Sequence, residues 1–263
     1  MAEISEQKIL KKTKLKLWKK YTFEFFMLFL AVFMGFVAEN TREYFVEKQQ
    51  ANELAKSFYE ELRNDSISAA QKVSARLKKE KAMTYMIDFF RDSILTSSSK
   101  ALSINFIYGI TARTPAIFTP RTVILEQLKS SGSLRYLKSK NLQKLVGDLS
   151  VVINFIQVRQ DYENEIFYRH IEPIMVNHMD FTFQSKLFND NLIFERLENY
   201  EKSNEYIFHQ LSHIEKINRR ELTNALSYYR YNGLLSTRVI PFKSYIEVNA
   251  ALLKELRHEY QLR

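Results

Sequence analysis

The most pronounced feature of the hydropathy pattern is an apolar run near the start of the chain. From Phe25 to Ala38 there are fourteen residues without a charge. As a helix this run is about 21 Å long, short of the ~30 Å hydrocarbon core of a bilayer. Extending it back to Tyr21 gives eighteen residues and about 27 Å, with Glu24 inside the stretch. Trp18 and Tyr21 then stand where an interfacial aromatic belt is expected. The length fits either a span or the apolar core of a signal peptide. Two features favour a retained span over a cleaved signal or a soluble core helix. A cleavage site after Ala38 would put Phe36 where a small residue is required. The helical pattern also continues outward, as AENTREYFVEKQQANELAKSFYEELRND, with no proline or glycine.

Beyond the run the pattern changes from apolar to amphipathic. Leu54, Phe58, Leu62, Ala69, Val73, Leu77, Tyr85, Phe89 and Phe90 recur at helical spacing, which predicts one long helix over 39–93. Within it, Lys72 to Lys81 holds five basic residues and one acid. It reads as a solvated face, with an acidic partner as the alternative. TSSSK at 96–100 breaks the helix, and ALSINFIYGI is a short helix or strand. Thr119-Pro120 reads as an N-cap with proline at the first helical position, opening a helix through Leu128. Gly132 fits a left-handed stop. Ser139 caps a helix from Asn141 to about Asp180, which Pro173 should kink or end near Glu172. DFTFQSKLFNDN reads as a loop. Two further helices are expected at about 191–217 and 219–260, the second weakened at Gly233 and Pro241. Phe242, Ile246, Ala250, Leu253 and Leu256 form its apolar seam. The class expected is all-α. An N-terminal transmembrane helix continues into a long helix, followed by an extracytoplasmic helical bundle or coiled-coil-like hairpins.

Composition agrees with this layout. Five glycines and four prolines in 263 residues leave little turn chemistry, as long helices require. With no cysteine, disulfides, zinc–thiolate sites and thiol catalysis are excluded. The net charge of +9 raises a nucleic-acid reading, but its distribution argues against one. Residues 1–20 carry seven lysines against Glu3 and Glu6, a net +5, leaving +4 for the rest. A basic tail just before a span places the N-terminus in the cytoplasm. The domains expected are a cytoplasmic tail at 1–20, an anchor at 21–38 and an extracytoplasmic helical domain at 39–263. The site expected is a bacterial inner membrane, with the bulk of the chain periplasmic.

Charge inside the span raises the question of Glu24. At about 100° per residue, Glu24, Ala31, Gly35, Ala38 and Arg42 share one face. Ala31 and Gly35 form a small-xxx-small pair that permits close helix approach. Glu24 is then either part of a self-association face or a side chain within one turn of the inner interface that snorkels to water. The second reading is preferred.

Several residues carry a resemblance. The sequence matches at Glu24, at Ala38-Glu39-Asn40, at Thr119-Pro120 and at Leu128-Lys129-Ser130-Ser131-Gly132. It matches again at Leu134 and Asn141-Leu142, and loosely at Asn224-Ala225-Leu226-Ser227 with Arg230. With these features the chain resembles a family of uncharacterised single-span membrane proteins abundant in Bacteroidota. Members have a short cytoplasmic tail, a span opening with a glutamate, and a central T-P … L-K-S-S-G motif. The resemblance covers most of the chain. It implies an inner-membrane anchor and a helical periplasmic domain, and it implies no activity.

Candidate chemistry is sparse. His209 and His213 are spaced i, i+4 on an expected helix near Glu215, which would place both imidazoles on one face, as a metal pair requires. They lack an H-E-x-x-H frame, so they are weak metal candidates and a plain surface or packed pair is favoured. His170 and His178 flank Pro173 and, with Glu172, are candidates to line a kink. No P-loop, G-x-G-x-x-G, G-x-S-x-G or kinase signature is present. Ser130 and Ser131 are better explained as a helix-end motif than as nucleophiles. The fifteen tyrosines and twenty phenylalanines read as core, some lining a groove for a partner helix. The function expected is that of a non-enzymatic, cofactor-free anchored protein. Its partners are the lipid bilayer and either a second copy or another envelope protein, and no nucleic acid. An extracytoplasmic ligand-sensing bundle that signals through a partner is the alternative.

Overall fold

The structure is a computed structural model. It describes residues 2–96, 99–112, 116–130, 132–137, 139–187 and 193–262, with side chains at 18 and from 20 onward except 193 and 194. Among the described residues every regular element is helical, as the sequence pattern requires. The first helix, α1, spans Ala2–Asp92. No proline precedes Pro115, and Gly35 is the only glycine before Gly109, so nothing in the sequence interrupts it. By contacts the chain divides into two units, Met1–Leu54 and Ala55–Arg263.

The first unit is a single helix, and burial begins only near its end, at Ala51. Every side chain described from Lys20 to Val46 is exposed. Its interactions are one-turn pairs: Lys20 Nζ to Glu24 Oε1 at 3.8 Å, Arg42 Nη2 to Glu39 Oε1 at 2.6 Å and Gln49 to Glu53 at 2.9 Å.

The second unit is built on the remainder of α1 and eight further α-helices among the described residues. These are α2 (Lys100–Phe106), α3 (Val123–Ser130), α4 (Lys140–Ile166), α5 (Glu172–His178), α6 (Phe181–Leu187), α7 (Ile193–Lys202), α8 (Arg219–Tyr228) and α9 (Lys243–Tyr260). Several boundaries have a visible cause. Arg219 donates to Phe90 O and Ser93 O, both at 2.8 Å, and so satisfies carbonyls at the end of α1. Ser139 accepts from Leu142 N at 3.2 Å and caps α4 as expected. Gly132 has φ 69°, the left-handed conformation expected after α3. Pro173 lies in the first turn of α5, and the chain before it runs as a π-helical turn, Phe167–Ile171. Gly233 and Pro241 lie in two more π-helical stretches, Tyr229–Leu235 and Arg238–Phe242. At Pro173 and Pro241 the wider turn accommodates a missing N–H. ALSINFIYGI is helical, as α2 and a π turn to Thr111.

Five expectations are corrected. DFTFQSKLFNDN is not a loop where it is described, because Phe181–Leu187 is helical and buries Phe183 and Leu187. The helix expected at 191–217 ends at Lys202. There Ser203 N and Oγ both donate to Tyr200 O, Lys100 donates to Ser203 O, and the Tyr200 hydroxyl accepts from Ile207 N. These bonds compete with helix continuation. The helix opening at Thr119-Pro120 begins instead at Val123. The α9 seam is displaced, since Ile246 and Ala250 are exposed while Tyr245, Asn249 and Leu252 are buried beside Phe242 and Leu256. A buried asparagine on the core face is invisible to an apolar count. Finally, Lys72–Lys81 is not simply a solvated face, because Arg76, Lys79 and Glu80 are buried, whereas Leu77 is exposed.

Candidate functional site

In the first unit, Glu24, Ala31, Gly35 and Ala38 are all exposed, and a Cβ on Gly35 would meet nothing within 4 Å. The opposite side of the helix is aromatic. Phe29 lies 6.5 Å from Phe26 and 6.1 Å from Phe33, ring to ring. By helical spacing this ridge stands about half a turn from Ala31 and Gly35. The helix thus has a bulky face and a small face. It is long and apolar enough to cross a membrane, and none of its apolar window is buried.

The T-P … L-K-S-S-G segment is held by side chains from three helices. Gln160 of α4 grips Phe118 twice, accepting from its N–H at 2.8 Å and donating to its carbonyl at 2.9 Å. Asp65 of α1 accepts from Arg121 N at 2.7 Å and from the Tyr245 hydroxyl of α9 at 3.3 Å. Glu61, one turn earlier, accepts from Ile124 N at 3.3 Å. Burial raises the pKa of Asp65, and the Arg121 N–H opposes this. The Phe118 ring packs 5.5 Å from Phe242 and 4.9 Å from Tyr245. The cap of α3 is therefore supplied by α1. Thr119 is exposed and Pro120 half-buried, ahead of the helix. Leu128 is buried, Lys129 reaches Ser150 at 3.1 Å, and Ser130 Oγ donates to Glu126 O at 2.7 Å. Asn141 is exposed in the first turn of α4, and Ser131 lies outside the described residues. Thr119, Pro120, Thr122 and Lys129 form one wall of a groove of about 370 Å³, opposite Asn154 and Gln157 of α4.

The histidines do not form a pair on one helix face, because 203–213 is not helical. His209 is buried against Phe106 and Phe183, at ring distances of 6.0 and 5.3 Å. Burial lowers its pKa, and Asp180 opposes the shift. His213 is exposed, with φ 49°. His178 joins the 203–213 segment to α5. Its carbonyl accepts from Ser212 N at 2.8 Å, and its Nδ1 lies 3.1 Å from Ser212 O. His170 is exposed, its ring edge-on to Tyr228, and Glu172 is also exposed. Among the described residues no group of three or more His, Asp or Glu side chains is placed to hold a metal ion.

Two features were not anticipated. Arg76 pairs with Glu163 at 2.8 Å in the interior, and Arg238 grips Glu80 through bonds of 2.6 and 2.9 Å. An acidic partner for the Lys72–Lys81 stretch thus exists within the chain, and Lys78 adds an exposed pair with Glu198 at 2.5 Å. The second feature is on α4. Its core side chains recur as Leu142, Val146, Leu149, Ile156 and Gln160. Its outer side carries a separate apolar stripe, Val151, Phe155, Val158 and Tyr162, in 4-3-4 spacing, with Val151 69% and Val158 54% exposed. This is the spacing of a coiled-coil seam; at its end the Tyr162 hydroxyl meets that of Tyr228 on α8 at 2.7 Å. Apolar spacing at 151–162 is readable from sequence, but only the structure tells the outer stripe from the inner one.

Comparison with family models, with curated proteins and with solved structures found no match to this chain.

Proposed function

We propose that this is a membrane-anchored helical protein that assembles with a second copy of itself in a bacterial inner membrane. The N-terminal tail is cytoplasmic and the helical unit periplasmic. The observation that carries the reading is the unburied apolar stretch at 21–38, preceded by a tail of net +5. An apolar helix with no protein packing is stable when lipid covers it. Once anchored in one membrane, two copies present the same surfaces in the same direction. Parallel pairing places Ala31 and Gly35 against their counterparts, where small residues let the backbones approach. In the second unit, Val151, Phe155, Val158 and Tyr162 offer a separate stripe suited to pairing with the same stripe of a second copy. Lys20 pairing with Glu24 favours an interfacial glutamate that reaches water with its neighbour.

The natural chain contains no cysteine, so single-cysteine variants report one position each. Gly35→Cys and Val158→Cys, oxidised in native membranes, are expected to give disulfide dimers. Ile67→Cys, exposed on α1 outside both stripes, is the control. Monomer at both test positions, or equal dimer at all three, would refute self-assembly.

A second reading is favoured by the groove at Thr119, Pro120 and Lys129, whose polar rim and size suit a small ligand. In that reading the helical unit senses a ligand and signals through a partner. A thermal-shift screen of the full chain in detergent tests it, and no stabilising compound would count against it.

A further inference from the structure

Apart from Glu61 and Asp65, which hold the start of α3, the buried charges described in the second unit gather in one layer. Arg76, Lys79 and Glu80 follow each other along a single turn of α1. Glu163 of α4 and Arg238, in the π turn before α9, complete the layer through the Arg76–Glu163 and Glu80–Arg238 pairs. Two further π-helical stretches meet at this level, since Phe167–Ile171 follows Glu163 within one turn and Gly233 abuts the Glu163 side chain. On one side begins a continuous apolar cluster, entered at Met83 on α1, Ile166 on α4 and Tyr229 beyond α8. It takes in α2 and α5 to α8. On the other side, Phe58, Leu62, Phe118, Ile156, Phe242 and Leu252 are buried but do not belong to that cluster. The layer touches both regions. The Arg76 guanidinium lies 4.8 Å over Phe242, and the Lys79 ammonium 5.5 Å over Tyr229.

We infer that this charge layer divides the helical unit into two cooperative parts, and that the part beyond it opens while the other stays folded. Cooperative opening follows continuous apolar packing. A buried ion-pair layer fixes register, but its Coulomb attraction is largely offset by desolvation, so it adds little cohesion. Arg76 Nε has no hydrogen-bond partner among the described residues, which weakens the layer further. The two parts also differ in their helices. Beyond the layer α2, α6 and α7 are separate helices of 7 to 10 residues each. Before it stand α9 with 18 residues, most of α4, which has 27, and one short helix, α3, with 8 residues that Glu61 and Asp65 of α1 hold at its start. Short helices depend more on tertiary packing, so the part beyond the layer opens first. Opening bares Phe106, Phe183 and Tyr200, which are otherwise fully buried. The inference uses the second unit alone and does not rest on the membrane reading.

Hydrogen exchange by mass spectrometry on the full chain in detergent micelles, at stepwise sub-denaturing guanidinium, tests it. Peptides from 83–112, 166–187 and 195–234 are expected to lose protection together. They should do so about tenfold faster than peptides from 55–72, 142–156 and 243–256. A single shared transition across both sets overturns the inference. The double variant Arg76→Met with Glu163→Met replaces the more deeply buried of the layer's two ion pairs with apolar side chains and is expected to bring the two transitions closer together. If it leaves them as far apart as in the natural chain, the layer is not the boundary. If the variant does not fold, the natural chain's exchange pattern decides alone.

Discussion

His209 is enclosed by Phe106 and Phe183, and burial holds its pKa below the ordinary histidine value. The unfolded chain therefore takes up this proton at a higher pH than the native chain does. Stability from the neutral imidazole is fully present above the unfolded pKa of about 6.5 and is lost as pH falls below it, toward the native value. Asp180, the nearby carboxylate, belongs to a different window. Burial raises its pKa, but the two Thr182 bonds together with the charges of His209 and Lys186 lower it on balance, so its contribution is lost only at more acidic pH. Thermal melts of the full chain from pH 7.5 to 5.5 should show a falling midpoint, and His209→Phe should flatten the fall. Parallel curves for the two proteins would remove His209 as the cause. A buried pair behaves differently from a buried neutral group. Glu163→Met leaves Arg76 charged and unpaired inside the protein, a loss of about 3–5 kcal/mol. Adding Arg76→Met should recover most of that in a denaturant titration. A double variant no better than the single one would mean that the lost packing, not the stranded charge, sets the cost.

The start of α3 shows how one helix can be capped by another. Glu61 and Asp65, one turn apart on α1, accept from Ile124 N and Arg121 N. Glu61→Ala should therefore destabilise the chain by about 1 kcal/mol, as loss of a helix cap does. Thr119→Ala should change stability by less than about 0.5 kcal/mol, because Thr119 is exposed and ahead of the helix. The reverse ranking in urea titrations would restore Thr119 as the cap. Local signals along the chain were legible wherever the partner is local. Ser139 caps its own helix, Gly132 takes the left-handed turn, and Pro173 and Pro241 sit where the helix widens. Signals that depend on distant partners were not. Arg76 reads as a surface residue until Glu163, 87 positions away, is placed beside it. Asn249 looks polar and outward until Leu62 O and the Tyr245 hydroxyl appear within 3.1 and 3.2 Å. The candidate groove belongs to the same class, since α3 and α4 each contribute one wall.

At the scale of the molecule, the consequence of the membrane reading is a fixed sidedness. The tail carries net +5 within twenty residues, while the following 243 residues carry +4 spread among acids and bases. A cluster of lysines beside an apolar helix resists transfer across the membrane. The chain beyond Ala38 should then stand on the opposite side, and the absence of cysteine makes this measurable. Two variants suffice: Ala2→Cys in the tail and Lys254→Cys on the exposed side of α9. In intact spheroplasts a membrane-impermeant maleimide is expected to label Lys254→Cys and to label Ala2→Cys only after lysis. Labelling of Ala2→Cys alone would invert the orientation. Labelling of neither before lysis would place the whole chain inside, with the 21–38 stretch lying on a membrane or covered by another protein. Release of Lys254→Cys from the membrane as a shorter chain would point to cleavage after the apolar run. The arrangement proposed here, an uncleaved helix with its basic end inside, is the one that yields an external Lys254→Cys still sedimenting with membranes after a carbonate wash.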